Sequence, residues 1–166
     1  MDIKTAREED LIDVLYLLKQ EIATTCENPG CPPNPDYSQL REEIRQGTIY
    51  ILEHHKISIG TFSVHQLQNG REKSEDGQTN RKHLQVNHLT IASYWINNDP
   101  IHEIISFLEK MANKHHVSAL QLMVNRHNKK MNTFLGDLGF SLIGENSGKH
   151  GATPFNIFEK KRVEAS

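Results

Sequence analysis

The segment LQLMVNRHNKKMNTFLGDLGF, residues 120–140, carries the strongest fold signal because both ends of a helix are marked within it. Alternating apolar residues at its start predict a short strand, and Asn128 then stands where a helix N-cap is expected. Gly139 stands where this helix must end, since glycine readily adopts the left-handed conformation that follows many helices. Phe140 begins another apolar run. The segment therefore predicts a strand, a helix and a second strand in succession, which is typical of α/β proteins.

Length and charge narrow the class of protein. The chain has 166 residues, enough for one full hydrophobic core but few for two. Its net charge of -2 provides no overall positive field for nucleic acid or for an anionic membrane. No apolar run is long enough to span a bilayer, and the first residues do not form a signal-peptide core. We expect a cytoplasmic protein whose partner is a small molecule or another protein, with no nucleic acid and no membrane bound.

Two cysteines and ten histidines raise the question of a metal site. Cys26 and Cys31 form a single C-x4-C pair, which in a reducing compartment is more typical of two free thiols than of a disulfide or half a metal site. The histidine pairs at 54–55 and 115–116 lack the spacing of a zinc motif, and the first pair fits a polar hairpin turn. We predict no bound metal.

Helices and strands alternate along the rest of the chain. Apolar residues at helical spacing behind an acidic opening predict a first helix from about residue 8, and a shorter helix is predicted at 37–46, before Gly47. A third helix with a nearly ideal apolar stripe begins at Asp99 and Pro100, which fit the N-cap and the first helical position. β-rich runs predict strands at residues 3–6, 48–53, 57–67, 83–92, 140–143 and 155–158.

The run at residues 83–92 has one irregularity. Its apolar alternation changes phase between Val86 and Leu89, whereas an undisturbed strand keeps one parity. The change indicates either a β-bulge or a strand whose second half is buried on both faces. Either interpretation fits a central strand.

This order of elements, with several local matches, resembles the GNAT acyltransferase superfamily over nearly the whole chain. TAREEDLIDVL resembles the opening strand and helix of the family, and YILEHHKISIGTFSV resembles its second and third strands, with Gly60 early in the third. Asn128 and the pair Gly139-Phe140 resemble its last conserved block. The resemblance implies an α/β (α+β) fold: a single GNAT-like acyltransferase domain at residues 1–160 with a tail at 161–166, a mixed central sheet of about six to seven strands, and about four flanking helices.

The same resemblance implies a function. It predicts an acyl-CoA-dependent N-acyltransferase that transfers an acetyl group from acetyl-CoA to an amine of a small molecule or a protein. Backbone groups of the central strand would hold the pantetheine arm, the loop that follows would form an atypical phosphate site, and an Asn would lie near the cofactor. These residues are Leu89, Thr90, Ile91, Asn97, Asn98, Asp99, Ile101, His102 and Asn128.

The loop YWINNDPIH, residues 94–102, departs from the family pattern. Typical members carry a Gly-x-Gly turn here, whose open amides hold the pyrophosphate, but this loop has no Gly, Arg or Lys. Asn97 and Asn98 are the next best residues for positive φ. Asp99, as an N-cap, would occupy the amides that a phosphate needs and would repel it, and Pro100 has no amide to donate. We expect a well-capped helix start that binds phosphate poorly.

The catalytic positions also depart from the family. Leu135 stands where many members have a tyrosine acid, and Gln85 stands nearest to their glutamate base; neither side chain transfers a proton. His88 is the remaining candidate base, because an imidazole titrates near neutral pH, although a histidine among apolar strand neighbours is more commonly structural.

Two alternatives therefore stay open beside the enzyme: a catalytically impaired GNAT-like binding or regulatory module, and a metal-binding protein built on the histidines and Cys26 and Cys31. Exposed sheet edges would also suit a homodimer.

Overall fold

The computed structural model describes residues 1–25, 36–68, 82–95, 97–146 and 154–161, in which seven strands form one sheet of order β1-β2-β3-β4-β5-β7-β6. The strands are β1 (Asp2–Thr5), β2 (Ile49–His54), β3 (Ile57–Gln68), β4 (Lys82–Ile91), β5 (Ala119–Asn125), β6 (Ser141–Asn146) and β7 (Phe155–Lys161). The helices are α1 (Leu11–Thr25), which follows a short 3-10 helix (Glu8–Asp10), α2 (Tyr37–Gln46), α3 (Asp99–Lys114) and α4 (Lys129–Asp137). Among the described strands, β4 and β5 are the one parallel pair.

Helices cover both faces of the sheet. Ile51 and Leu52 are neighbours in β2, so their side chains point to opposite faces, and they belong to two different buried clusters. Ile51 packs with residues of α1 and α2, including Val14 and Leu40. Leu52 belongs to the larger cluster, which includes Leu108 of α3 and buried residues of α4. The predicted mixed α+β fold, with about six to seven strands and about four helices, is confirmed.

The helix predicted within residues 120–140 begins and ends where its local signals indicate. Asn128 Oδ1 accepts a hydrogen bond from the Met131 backbone N–H at 3.1 Å, which caps the start of α4. At the other end Gly139 has a φ of 91°, and the Phe140 N–H donates to the Leu135 carbonyl at 3.1 Å. This is the Schellman geometry, and it directs Phe140 into the core. Both predicted helix ends are confirmed.

The phase change in the central strand is a β-bulge. Asn87 of β4 pairs with Ser63 and Thr90 pairs with Thr61, so two residues of β4 stand opposite a single residue of β3. The first of the two, His88, has a φ of 56°, a left-handed conformation that is uncommon for a residue with a side chain. The bulge changes which face the following side chains occupy, and it lies at the middle of the sheet.

The predicted hairpin turn at the histidine pair is confirmed. His54 pairs with Ile57, which leaves His55 and Lys56 as a two-residue connection between β2 and β3. Both connecting residues have positive φ, 51° and 65°, as a type I′ turn requires.

Some predictions concern residues outside the described part of the chain. They include Cys26, Cys31, most of the polar segment at 68–82 and the tail beyond residue 161. The division into a domain at 1–160 and a tail at 161–166 stays a prediction. No helix among the described residues is both long enough and apolar enough to cross a membrane.

Candidate functional site

The two parallel strands separate at the centre of the sheet. Their pairing ends at Val86↔Leu122, although β4 continues to Ile91 and β5 continues to Asn125. The separation begins just before the bulge at His88. It leaves a gap between two adjacent strands of an otherwise continuous sheet.

Backbone hydrogen-bonding groups of β4 face this gap. The Ala92 N–H donates to the Ile59 carbonyl at 2.8 Å, and Thr90 pairs with β3 as well. Alternate residues of an antiparallel strand direct their N–H and C=O groups to opposite sides, so those of Leu89 and Ile91 point away from β3 and toward the gap. No described strand pairs with them there. The gap is therefore edged by open donors and acceptors, although the side chain of Leu89 is buried.

A cleft of about 340 Å³ opens at the same edge of the sheet, where α3 and α4 begin. One wall comes from the end of β4 and the start of α3, and the other comes from the start of α4. Ile91, Asn97, Asn98 and Ile101 line the first wall, and His127, Asn128, Lys129 and Lys130 line the second. Trp95 and Phe134 add aromatic surface to the cleft.

His88 lies on the other face of the sheet from the cleft. Its imidazole interacts electrostatically with Glu43 of α2 and with His65 of β3, so it faces the layer formed by α1 and α2. His88 remains exposed as a residue, yet the protein atoms packed around the ring lower its pKa below the usual 6.5. The charge of Glu43 opposes this shift, and His65 adds to it. The imidazole is therefore mostly in its neutral form at pH 7.

Comparisons with known proteins identify the fold. Neither the family models nor the curated proteins that were compared match the sequence. Among solved structures, Naa50 of Arabidopsis thaliana in complex with the bisubstrate analogue CoA-Ac-MVNAL is 14% identical, covers 96% of this chain and 97% of its own, and has a TM-score of 0.66. An acetyltransferase of the GNAT family from Streptococcus agalactiae is 15% identical, with coverages of 98% and 96% and a TM-score of 0.69. An agmatine N-acetyltransferase is 10% identical, with coverages of 97% and 99% and a TM-score of 0.68.

The chain has the GNAT fold. At these identities the likeness establishes the architecture alone, so any chemistry must be argued from the residues of this chain.

The start of α3 differs from the sequence prediction. Asp99 is the first helical residue and not the N-cap; Asn98 occupies the cap position, and its side chain makes no capping hydrogen bond. The Asp99 N–H is instead bonded to Asn97 Oδ1 at 3.0 Å, an oxygen that also accepts from Trp95 Nε1 at 2.7 Å. A local Asx turn at Asn97 replaced the expected cap, because an Asn side chain can bond the backbone two residues ahead.

Few amides at this end of α3 remain available to a ligand. The Asp99 amide is occupied, Pro100 has none, and the His102 amide is bonded to the Asn98 carbonyl at 3.1 Å. The Ile101 amide has no acceptor among the described residues. The expectation of a poor phosphate site at α3 therefore keeps its physical basis, although the residue that occupies the amide is Asn97.

The predicted donor-binding residues lie in three settings. Five line the cleft: Ile91, Asn97, Asn98, Ile101 and Asn128. Leu89 and Thr90 have buried side chains, and Leu89 can contribute only its backbone. Asp99 and His102 are exposed and are not among the described cleft residues; the His102 ring meets Phe134 edge-on with centroids 5.1 Å apart. The binding roles of all nine residues stay predictions.

Cationic residues of the cleft were missed from sequence. Lys129 and Lys130 open α4, about thirty positions beyond the loop at residues 94–102, and both line the cleft. A signal was available, because the carboxyl ends of neighbouring parallel strands meet at one edge of a sheet. The run RHNKK directly follows β5 and therefore faces the loop that follows β4.

Two positions that carry proton-transfer residues in many family members are occupied here by Leu135 and Gln85, whose side chains cannot transfer a proton. Leu135 is 0% exposed and packs in the larger core cluster. Its side chain therefore contributes to core packing and cannot act as an acid. Gln85 is half-buried in β4 between His65 and Gln121.

Metal ligands do not converge in the described residues: no group of three or more His, Cys, Asp or Glu side chains could hold an ion there. Cys26 and Cys31 lie outside those residues.

Proposed function

We propose that this protein is an acyl-CoA-dependent N-acyltransferase that transfers an acetyl group from acetyl-CoA to an amine. The observation that carries the proposal is the separation of β4 from β5 after Val86↔Leu122, which exposes backbone groups of Leu89 and Ile91 beside the cleft. An extended amide-containing arm such as pantetheine matches an open strand edge, since each provides alternating donors and acceptors.

The gap also gives the two faces of the sheet a common opening. The cleft lies beside α3 and α4, whereas His88 faces α1 and α2 just past the point where the strands part. A thioester held at the gap could therefore be approached by an amine from the His88 side. This arrangement supports a separate entrance for each substrate.

Bound acetyl-CoA would supply a thioester carbonyl that an amine attacks, so that a C–N bond forms and the C–S bond breaks. His88, neutral at pH 7, would accept the proton that the attacking nitrogen loses. Open backbone groups of Leu89 and Ile91 would orient the arm along β4. Because Leu135 has no proton to give, solvent or another cleft residue would protonate the departing thiolate.

The acceptor is proposed only as a class. The comparison structures include a complex with the bisubstrate analogue CoA-Ac-MVNAL and an enzyme named for agmatine. We propose an amine of a small molecule or of a protein as the acceptor here, and cytoplasmic localisation remains our expectation.

A second candidate is a GNAT-fold binding or regulatory module without acyl transfer. It is favoured by the buried Leu135 and by Gln85, which fill both usual proton-transfer positions with groups that cannot transfer protons. Such a module would bind acetyl-CoA but would release no thiol. Binding and turnover must therefore be measured separately.

The first experiment is thermal unfolding of the full chain with acetyl-CoA, free CoA or no ligand. A ligand at about one hundred times its dissociation constant adds roughly 2.7 kcal/mol, which raises the melting temperature of a chain of this size by about 5–10 °C. No shift with acetyl-CoA or CoA would rule out both the enzyme and the acyl-CoA-binding module.

The second experiment measures thiol release from acetyl-CoA with a panel of amines and N-terminal peptides. His88→Gln should lower kcat while acetyl-CoA affinity is unchanged, because the imidazole lies on the opposite face from the cleft. His115→Gln, at an exposed histidine near the far end of α3, is the matched control. Binding without turnover across the panel would favour the regulatory module.

A further inference from the structure

We infer that the phosphate groups of the donor are held by Lys129 and Lys130 at the start of α4, in place of the loop before α3. The inference rests on the proposed function, since it names the anion-binding wall of the same cleft. The ligand class is a nucleotide whose phosphates carry several negative charges. The two walls of the cleft differ in the groups they offer to such a ligand.

The α3 wall offers little to an anion. Its first amide is bonded to Asn97, its second residue is Pro100, and the amide of Ile101 has no acceptor among the described residues. The carboxylate of Asp99 adds a negative charge at the same helix start. A diphosphate needs several convergent donors, and this wall keeps few of them.

The α4 wall has the opposite character. Lys129 and Lys130 both line the cleft, and both also line the hollow that adjoins it along α4. None of the described residues that line the cleft is acidic. In the adjoining hollow the one acid among the described lining residues is Asp137, at the last position of α4. The described lining of the cleft therefore carries two lysines and no carboxylate.

The position of these lysines within α4 is a second, independent indication. The first turn of a helix favours acidic residues, because the helix dipole is positive there, yet the first turn of α4 holds two lysines and no acid. Lysines at this end are unfavourable for the isolated helix. A bound anion would make this arrangement favourable. It would interact with the positive end of the helix dipole, with the two ammonium groups and with the nearby imidazole of His127.

The donor carries phosphate at two places, and ligands that lack one or both of them distinguish the two groups. CoA carries a diphosphate and a ribose 3′-phosphate, dephospho-CoA lacks the second, and S-acetylpantetheine lacks both. A site formed by two adjacent lysines could take either group, so the inference concerns phosphate as such. Comparing the three ligands shows which phosphate the lysines hold.

The test is isothermal titration of the full chain with S-acetyl-CoA, acetyl-dephospho-CoA and S-acetylpantetheine. The variants are Lys129→Gln, Lys130→Gln and the pair together, since glutamine keeps the helical preference and removes the charge. Lys110→Gln, at an exposed lysine of α3, is the matched control. Unliganded melting temperatures establish that every variant is folded.

We expect the double variant to bind acetyl-CoA about ten-fold or more weakly, because a hydrogen bond to a charged group contributes on that order. Its affinity for S-acetylpantetheine should stay at the wild-type value, and its binding of acetyl-CoA should depend less on salt. Lys110→Gln should change neither.

Three results would overturn the inference, and they are distinguishable. If the wild type binds acetyl-CoA and the double variant binds it equally well, the phosphates lie elsewhere while the proposed function stands. If the wild type binds no CoA compound at all, the proposed function fails and this inference fails with it. Equal losses for acetyl-CoA and S-acetylpantetheine would assign the lysines a structural role and would also overturn it.

Discussion

Two glycines of the α4 segment should respond differently to the same substitution. A Cβ added at Gly136 or at Gly139 would meet no atom within 4 Å, so neither change creates a clash. The positions differ in backbone conformation: Gly136 lies within α4, whereas Gly139 has a φ of 91°. Replacing each glycine with alanine therefore isolates the cost of the left-handed conformation from the cost of packing.

The magnitudes follow from this difference. Alanine restricts the unfolded chain and stabilises a protein by about 0.4–1 kcal/mol where the native conformation suits it, as at Gly136. The same restriction applies at Gly139, but there the left-handed conformation costs an alanine about 1–2 kcal/mol. The entropic term is common to both variants, so they should differ by roughly 1–2 kcal/mol, or about 2–8 °C in melting temperature for a chain of this size.

The assay is thermal and urea unfolding of the two variants beside the wild type. Gly136→Ala should be more stable than the wild type and Gly139→Ala less stable than Gly136→Ala, with equal m-values. Gly139→Asn should recover part of the loss, since asparagine tolerates the left-handed region. If Gly139→Ala proved as stable as Gly136→Ala, the Schellman ending of α4 would be wrong, and with it the path of the chain into β6.

Two further predictions concern the central strands. Gly60→Ala should destabilise the protein by about 1–3 kcal/mol in urea unfolding, because the new Cβ would lie 3.2 Å from the Thr90 carbonyl oxygen; wild-type stability would show that β4 can move aside. The His88 imidazole should titrate below pH 6.5 by NMR, with a lower midpoint in Glu43→Gln and a higher one in His65→Asn, since Glu43 raises its pKa and His65 lowers it. Because the folded-state pKa is the lower one, the stability that His88 contributes is complete above pH 6.5 and is lost as the pH falls toward the folded value. A midpoint at or above 6.5 would contradict the packing around the ring.

Features with a local cause were predictable from residues alone. The ends of α4 follow from Asn128 and Gly139, because a cap and a left-handed residue act within one turn of the chain. The bulge in β4 was indicated by the change of phase after Val86, since side chains of a strand alternate in register with the sequence. The overall class followed from the order of such local elements, together with the resemblance to a known family.

The start of α3 shows the limit of that approach. The types of Asp99 and Pro100 fit an N-cap and a first helical residue. In the structure Asp99 is the first helical residue, and its backbone N–H donates to Asn97 Oδ1. Both arrangements satisfy local preferences for Asn and Asp, so the residue types alone do not choose between them. The arrangement with Asn97 is accompanied by a further contact, because Asn97 Oδ1 also accepts a hydrogen bond from Trp95. The Trp95 ring in turn meets His54 at the hairpin end, with centroids 5.1 Å apart.

The amino-acid sequence was sufficient for the helices and most strands, because hydrophobic period, capping and turn chemistry act over a few residues. It indicated the bulge as one of two interpretations, and it indicated the fold class through the order of elements together with the family resemblance. It was not sufficient for the insertion of β7 between β5 and β6, for the gap beside β4, or for the two lysines that face the start of α3. Each of these joins segments that are far apart in the chain. Their contacts arise only when the sheet is assembled and its parallel strands end at a common edge, and that edge is where the cleft lies.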